Sequence, residues 1–271
     1  MPLRHAGATA ASFYNRRMTV VSTTRLAGRL FTHVIGGRRT IRKHFGRFSP
    51  HERTEAINRW SQDLLRHAAI ELRVHGTPQV HEPALLVCNH VSWLDIFVIN
   101  AWRPAMFVSK AEVRRWPLLG PLVEGTGTLF IERERRRDAL KVVHEMADAL
   151  RRGHHVAAFP EGTTGWGEQV MPFHANLLQA AVSAGAPVQP LALRYLDAQS
   201  GRPTRAASWV GDMSLVHSLR QLAQHKLQGG LIAELHVLPP LRGSDRRELA
   251  RAAHAAVAQA LGVRAETADT L

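Results

Sequence analysis

Cys88 is the only cysteine in 271 residues, which leaves it no disulfide partner and no companions for a cysteine-based zinc site. A reducing compartment fits that usage. Long apolar runs are missing as well. No stretch approaches the ~18–20 uncharged apolar residues of a spanning helix, so no transmembrane helix is expected. No compact apolar core precedes a small-residue cleavage site, so a signal peptide is not expected either. Acidic residues are absent from Met1–Pro50, a segment that carries Arg4, Arg16, Arg17, Arg25, Arg29, Arg38, Arg39, Arg42, Lys43 and Arg47. Tyrosine is scarce, with 2 in the chain. No helix-turn-helix, zinc-finger or RNA-recognition signature accompanies the basic residues, which weakens a nucleic-acid-binding reading of them. No repeat of solenoid period is present.

What is present is strongly basic. Lys and Arg number 35 against 22 Asp and Glu, a formal charge of +13. On charge alone the acid-free start reads first as a disordered basic tail with no fixed partner, and otherwise as a segment that seeks an anionic one, either anionic lipid or nucleic acid. It also has the composition of an organellar transit peptide. Leu26, Leu30, Phe31, Val34 and Ile35 follow helical spacing, with Arg25, Arg29 and Arg38 on other faces. Such a helix can lie in a membrane interface with its apolar side down. Gly36-Gly37 is expected to break it. Residues 1–48 are accordingly read as a basic amphipathic membrane-surface segment. Residues 49–261 form one main domain and 262–271 a loose tail.

Within that domain, Ser49-Pro50-His51-Glu52 reads as a capping box opening a helix through Ile57, Trp60, Leu64 and Ala68. Strands are expected at Glu71–His75, Ala84–Cys88, Ala105–Ser109, Thr128–Ile131, His155–Phe159, Val188–Leu196 and Leu231–Leu238. Helices are expected from about Ser92, at Arg137–Arg152 with Leu140, Val143, Ala147 and Leu150 inward, at Ala175–Ala184, at Ser214–Leu227, and at Ser244–Leu261 behind a serine cap. The alternation predicts an α/β fold with a mainly parallel sheet flanked by helices, plus the basic helical appendage.

Reactive groups in such sheets gather outside the carboxyl ends of strands. Asn89 and His90 follow the strand ending at Cys88, and Asp95 opens the next helix. Five positions apart, the two side chains meet only if His90 precedes the helix and points back over its start. That suits a general base oriented by a carboxylate, with Asp95→Asn expected to leave the imidazole in the wrong tautomer. The bland alternative is a capping Asp95 beside an ordinary loop histidine. No G-x-S-x-G elbow occurs and Ser92 is placed as a cap, so the base is expected to activate a substrate hydroxyl directly. Phe159–Thr164 is a second candidate: Gly162 lets backbone approach a ligand, Thr163 supplies a hydroxyl, and Glu161 can bind a substrate hydroxyl or orient the loop. Its alternative is a plain turn. In Gly127–Arg133, Arg133 stands just past a strand, where a guanidinium can clamp phosphate. It is equally a solvated member of a run with Arg135, Arg136 and Arg137. Lys110 is a lesser candidate of the same kind.

Together these stretches resemble the glycerolipid acyltransferase family that includes the bacterial 1-acyl-glycerol-3-phosphate acyltransferases. Asn89–Asp95 matches the family's N-H-x-x-x-x-D block, Gly127–Arg133 its G-x-x-F-I-x-R block, and Phe159–Thr163 its F-P-E-G-T block. Ala186-Pro187-Val188-Gln189-Pro190 is similar to the fourth block, and the likeness spans roughly 72–196. The resemblance implies a glycerol-3-phosphate acyltransferase-like fold and acyl transfer from acyl-CoA or acyl-carrier protein to a lysolipid hydroxyl, foremost 1-acyl-glycerol-3-phosphate. It implies His90 as base, Asp95 as its partner, and Arg133 with Glu161, Gly162 and Thr163 around the acceptor head group. It implies no cofactor beyond the acyl donor, no metal, and a peripheral place at the cytoplasmic face of an anionic membrane. Thr164 and Gly165 stand where relatives often carry arginine and serine. The Thr-Thr-Gly version, followed by Met171-Pro172-Phe173-His174, is similar to enzymes acylating lyso-ornithine lipids. Many relatives have an apolar N-terminal segment. Here the basic Gly37–Arg47 stands instead, and a more salt-sensitive attachment is expected. Two readings of other classes remain at this point: a nucleic-acid-binding protein using the basic arm, and a lipid hydrolase in which the same base activates water.

Overall fold

The computed structural model describes residues 6–76, 82–116, 120–131 and 136–266. Helix α1 (Ala6–Thr40) runs through Gly36 and Gly37 without a break and passes into a π turn at Ile41–Phe45. The expected interruption is therefore corrected. A helical glycine costs about 1 kcal/mol of propensity relative to alanine, and packing overrides it here. A Cβ on Gly37 would lie 2.7 Å from Trp60 Nε1 and 2.9 Å from Leu122 Cδ1, so this position lets α1 approach its neighbours closely. Gly36 has open space around it. Gly37→Ala is expected to destabilise by about 1–3 kcal/mol through overpacking, whereas Gly36→Ala gains up to ~1 kcal/mol. Thermal unfolding of the two variants checks the opposite signs.

The apolar stripe of α1 also divides. Leu26 and Leu30 are buried in the core, while Phe31 is 53% and Ile35 41% exposed. Phe31 follows Leu30 by one residue, about 100° round the helix, and so leaves the covered face. Helix α2 (Pro50–His67) starts with the expected capping box: Ser49 Oγ accepts from Glu52 N–H at 3.2 Å, and Ser49 N–H donates to Glu52 Oε2 at 2.7 Å. Trp60 of α2 stacks on His33 of α1 with centroids 4.6 Å apart, which joins the two helices.

The strands are β1 (Ile70–His75), β2 (Leu85–Cys88), β3 (Met106–Lys110), β4 (Leu129–Ile131), β5 (Val156–Ala158), β7 (Val188–Asp197) and β8 (Leu231–Val237), in the sheet order β1-β8-β7-β2-β5-β3-β4. A separate two-stranded pair joins β6 (Gln169–Val170) to β9 (Arg264–Ala265). Neighbours in the large sheet run parallel except β7 and β8. The sheet is thus mixed and mostly parallel, as the alternation of elements predicts. β2 is central, pairing β5 through Leu85↔Val156 and β7 through Leu85↔Val188. Its four residues are all buried, as expected of a strand covered on both faces.

Alternation along β2 separates the two cores. Leu86 and Cys88 face a cluster with Leu26, Leu64, Val98 of α3 (Asp95–Trp102) and Leu222 of α7 (Leu215–Leu227). Leu85 and Val87 face one with Met146 of α5 (Arg136–Arg151), Ala181 of α6 (Gln179–Ala184) and Val257 of α8 (Arg246–Leu261). The short α4 (Gly120–Gly125) connects β3 to β4. Four expectations need adjustment. Ser92–Leu94 form a turn, and α3 begins at Asp95. Residues 175–178 are turns before α6, not its first turn. The α8 cap is Asp245, whose Oδ1 accepts from Arg247 N–H and Glu248 N–H at 2.6 and 3.0 Å, because Ser244 lies one residue too early. Leu140 is 60% exposed because it lies about 120° round α5 from the central buried residue Met146.

Candidate active site

His90 and Asp95 meet at the carboxyl end of β2. Asn89 fixes the approach: its side chain donates to Leu193 C=O at 2.9 Å and accepts from Leu193 N–H at 2.8 Å, tying the end of β2 to β7. A buried amide satisfied on both sides holds the following residue in one place. His90 Nδ1 then lies 2.8 Å from Asp95 Oδ2. The carboxylate is fully buried, whereas the imidazole keeps 19% of its surface exposed. A carboxylate only accepts, so Nδ1 carries a proton, and in the neutral imidazole Nε2 keeps its lone pair. That is the arrangement of a base ready to take a proton from a hydroxyl.

Asp95 gathers four donors: His90 Nδ1–H, Val91 N–H at 2.7 Å, Ser92 N–H at 2.9 Å, and Tyr195 O–H at 2.8 Å. Such donors offset the hydration that a buried anion loses. Asp95, the first residue of α3, therefore holds the backbone of the loop before its helix and orients His90 at once, while α3 itself has no side-chain cap. Ser92 is buried, and its Oγ accepts from Leu94 N–H at 3.2 Å, which closes the turn before α3; the helix has no side-chain cap, so the expected capping role is corrected.

The loop after β5 completes the site. Phe159 stacks its ring on His90, with centroids 3.9 Å apart and planes 9° from parallel. His90 N–H donates to Glu161 Oε1 at 2.8 Å, and Gly165 N–H donates to His90 C=O at 2.8 Å. The loop thus grips the His90 backbone on both sides and its ring on one face. Glu161 is buried and also accepts from Met171 N–H at 3.3 Å, so its carboxyl group organises the loop from within. Gly162 has φ +76°, a left-handed conformation that favours glycine, and Thr163 beside it is exposed. Lys110 is exposed at the end of β3. Arg133 lies outside the described residues. Phe159 and Tyr195 were not singled out from sequence. Phe159 stood inside the F-P-E-G-T stretch, whereas Tyr195 carried no local signal.

Burial lifts the Glu161 carboxyl from an ordinary 4.5 to about 8, against the opposing pull of its two backbone donors. The folded protein therefore keeps a proton there that the unfolded chain releases. The stability that Glu161 contributes is complete below pH 4.5 and is lost as pH rises through about 8. Accordingly, the wild-type melting temperature is expected to fall relative to that of Glu161→Gln between pH 5 and 8.5. A constant difference between the two would contradict the assignment.

Among the described residues one trio of candidate metal ligands, His75, Glu234 and His236, brings its ligand atoms within 4.8 Å of one another. It sits on β1 and β8 at the other edge of the sheet from β3 and β4, and Glu234 Oε2 already accepts from Arg194 Nε at 2.7 Å.

The site is a His–Asp pair and a gripping loop at the strand ends of a mostly parallel α/β sheet. Comparison with known proteins supplies the family. The model of the acyltransferase family matches residues 71–194. A lyso-ornithine lipid O-acyltransferase of Pseudomonas aeruginosa is 42% identical over 202 residues, covering 74% of this chain and 76% of that protein. A 1-acyl-sn-glycerol-3-phosphate acyltransferase of Neisseria meningitidis is 38% identical over 179 residues, covering 65% of this chain and 69% of its own length. The crystal structure of the 1-acyl-sn-glycerophosphate acyltransferase of Thermotoga maritima shares the fold, with a TM-score of 0.67 at 19% identity over 92% of this chain and 96% of that one. The chain belongs to the acyltransferase family, and it is an acyltransferase.

Proposed function

We propose that this acyltransferase moves a fatty acyl group from acyl-CoA or acyl-carrier protein to the hydroxyl of a lysolipid. The observation that carries the reading is the His90–Asp95 contact, which engages Nδ1 of a part-exposed imidazole and leaves Nε2 for the substrate. Nε2 takes the hydroxyl proton as the oxygen attacks the thioester carbonyl. The tetrahedral intermediate then collapses, the C–S bond breaks, and the imidazolium returns the proton to the departing thiolate. A thioester is already activated, so alignment and a base suffice and no further cofactor is needed.

For the acceptor, 1-acyl-glycerol-3-phosphate is the first reading, supported by the named activity of the Neisseria relative. Lyso-ornithine lipid is a second, favoured by Thr164-Gly165 in place of arginine and serine and by the Pseudomonas relative. An acceptor panel of lysophosphatidate and lyso-ornithine lipid, each with labelled acyl-CoA and labelled acyl-carrier protein, tests this. Ester formation on one acceptor selects the reading. Release of free fatty acid with neither acceptor acylated would favour hydrolysis and overturn both.

We further propose that α1 docks on an anionic membrane surface. Val20, Val21, Phe31 and Ile35 are exposed, in company with exposed Arg25, Arg29, Arg39, Arg42 and Lys43. Among the described residues no helix is long and apolar enough to cross a membrane. Because Leu26 and Leu30 belong to the core, deleting α1 would uncover it, so surface changes make the cleaner test. Phe31→Ser with Ile35→Ser is expected to weaken sedimentation with anionic vesicles about tenfold or more. Turnover of a detergent-solubilised acceptor should stay within about twofold. Equal losses in both assays would count against the surface role.

A further inference from the structure

We propose that Tyr195 is a positioning residue for the transfer reaction: its O–H, reaching from β7, holds Asp95 Oδ1 and sets how strongly the carboxylate acts on the His90 imidazole. This rests on His90 being the base.

The distribution of donors on Asp95 motivates the assignment. Oδ2 receives three N–H groups, from His90, Val91 and Ser92, all from the strand-to-helix loop itself. Among the donors found on this carboxylate, Tyr195 is the one on Oδ1, and it comes from a residue 100 positions away in sequence. The phenol is buried, with 3% of its surface exposed. A phenylalanine ring would fill nearly the same space in the core beside Leu193 and Leu235. The hydroxyl is therefore what distinguishes the residue chosen here, and it points at the one group that orients the base. Because a carboxylate only accepts, the phenol must donate. Burial and the facing Asp95 push the phenol's ionisation well upward, so the donor persists across the working pH range.

The sign of the effect follows. A strong donor on Oδ1 takes up part of the carboxylate charge. Removing it leaves more of that charge facing the imidazolium, so the acid limb of the rate profile moves to higher pH. The charged and titratable groups facing this site are Asp95 on α3, Glu161 after β5, Cys88 on β2 and Tyr195 on β7. The Cys88 thiol is pushed well up by burial, and Glu161 ionises at about 8, so neither ionises under the acid limb of the rate profile.

The test uses the full chain and the acid limb of kcat/KM. Tyr195→Phe should move the limb up by about half a pH unit through the added charge, and, because Oδ1 is no longer anchored and the imidazole is held less well in line, lower kcat on the plateau about five- to tenfold with KM within about twofold. The chain has 2 tyrosines, Tyr14 and Tyr195. Incorporating 3-fluorotyrosine into a Tyr14→Phe background therefore labels position 195 alone. Fluorine makes the phenol a stronger donor, so the limb should move down, opposite to the phenylalanine variant. A merely structural hydroxyl gives no such pair of opposite shifts. The fluorinated protein keeps the hydroxyl, and it decides the matter should Tyr195→Phe prove unstable. A limb that stays in place in the fluorinated protein overturns the role of Tyr195. If His90→Ala retains the rate, the base reading falls and this proposal falls with it.

Discussion

His90→Ala is expected to lower kcat for acyl transfer by about 10³-fold or more while the protein stays folded. The ring stacks on Phe159 and keeps part of its surface exposed, so its loss opens no closed cavity in either core. The backbone contacts that seat the loop are made by His90 N–H and C=O, and alanine retains both. Binding of acceptor and donor should survive, so the effect belongs in kcat. Circular dichroism and thermal unfolding check the fold, and steady-state turnover checks the rate. Near-normal turnover by a folded variant would remove His90 from the chemistry.

Asp95→Asn is the second large effect, and the structure changes its explanation. From sequence, the amide was expected to leave the imidazole in the wrong tautomer. Yet Oδ2 accepts three N–H donors, which select oxygen at that position, and the new NH2 then faces the Tyr195 hydroxyl, which can accept. The tautomer survives, and what disappears is the negative charge that stabilises the developing imidazolium. The loss in kcat should therefore be about 10²–10³-fold, with the acid limb of the profile displaced to lower pH. Asp95→Ala removes the acceptor for all the donors and should cost stability as well, by about 3 kcal/mol or more. Kinetics of both variants across pH, with unfolding measured in parallel, separate charge from scaffold. Wild-type rates in Asp95→Asn would reduce Asp95 to a support for the backbone of the loop before α3.

Much of the site was legible because it is local. The strand ending at Cys88, the five-residue step from His90 to Asp95, and the glycine-rich turn after Phe159 lie within short stretches whose chemistry can be read in order. The capping box at Ser49 and Glu52 is of the same kind. What escaped depends on contacts across the fold. Tyr195 meets Asp95 only because β7 lies beside β2, and a period-two strand pattern marks it as buried without naming what it touches. Gly37 looked like a helix break because propensity is local, whereas the indole of Trp60 that makes a side chain intolerable comes from α2. Glu161 was open from sequence to binding a substrate hydroxyl or orienting its loop, and its carboxyl group turns inward to two backbone N–H groups, a choice that only burial reveals.

The route of the acyl group tests the account most directly. An acid-quenched single-turnover time course with labelled acyl donor should show label passing from the thioester straight to the lysolipid ester. Its rate should fall at acid pH as the imidazole takes up a proton, and no label should ever appear on the protein. Label trapped on the enzyme, or a rate indifferent to pH in Asp95→Asn and wild type alike, would contradict direct transfer assisted by His90.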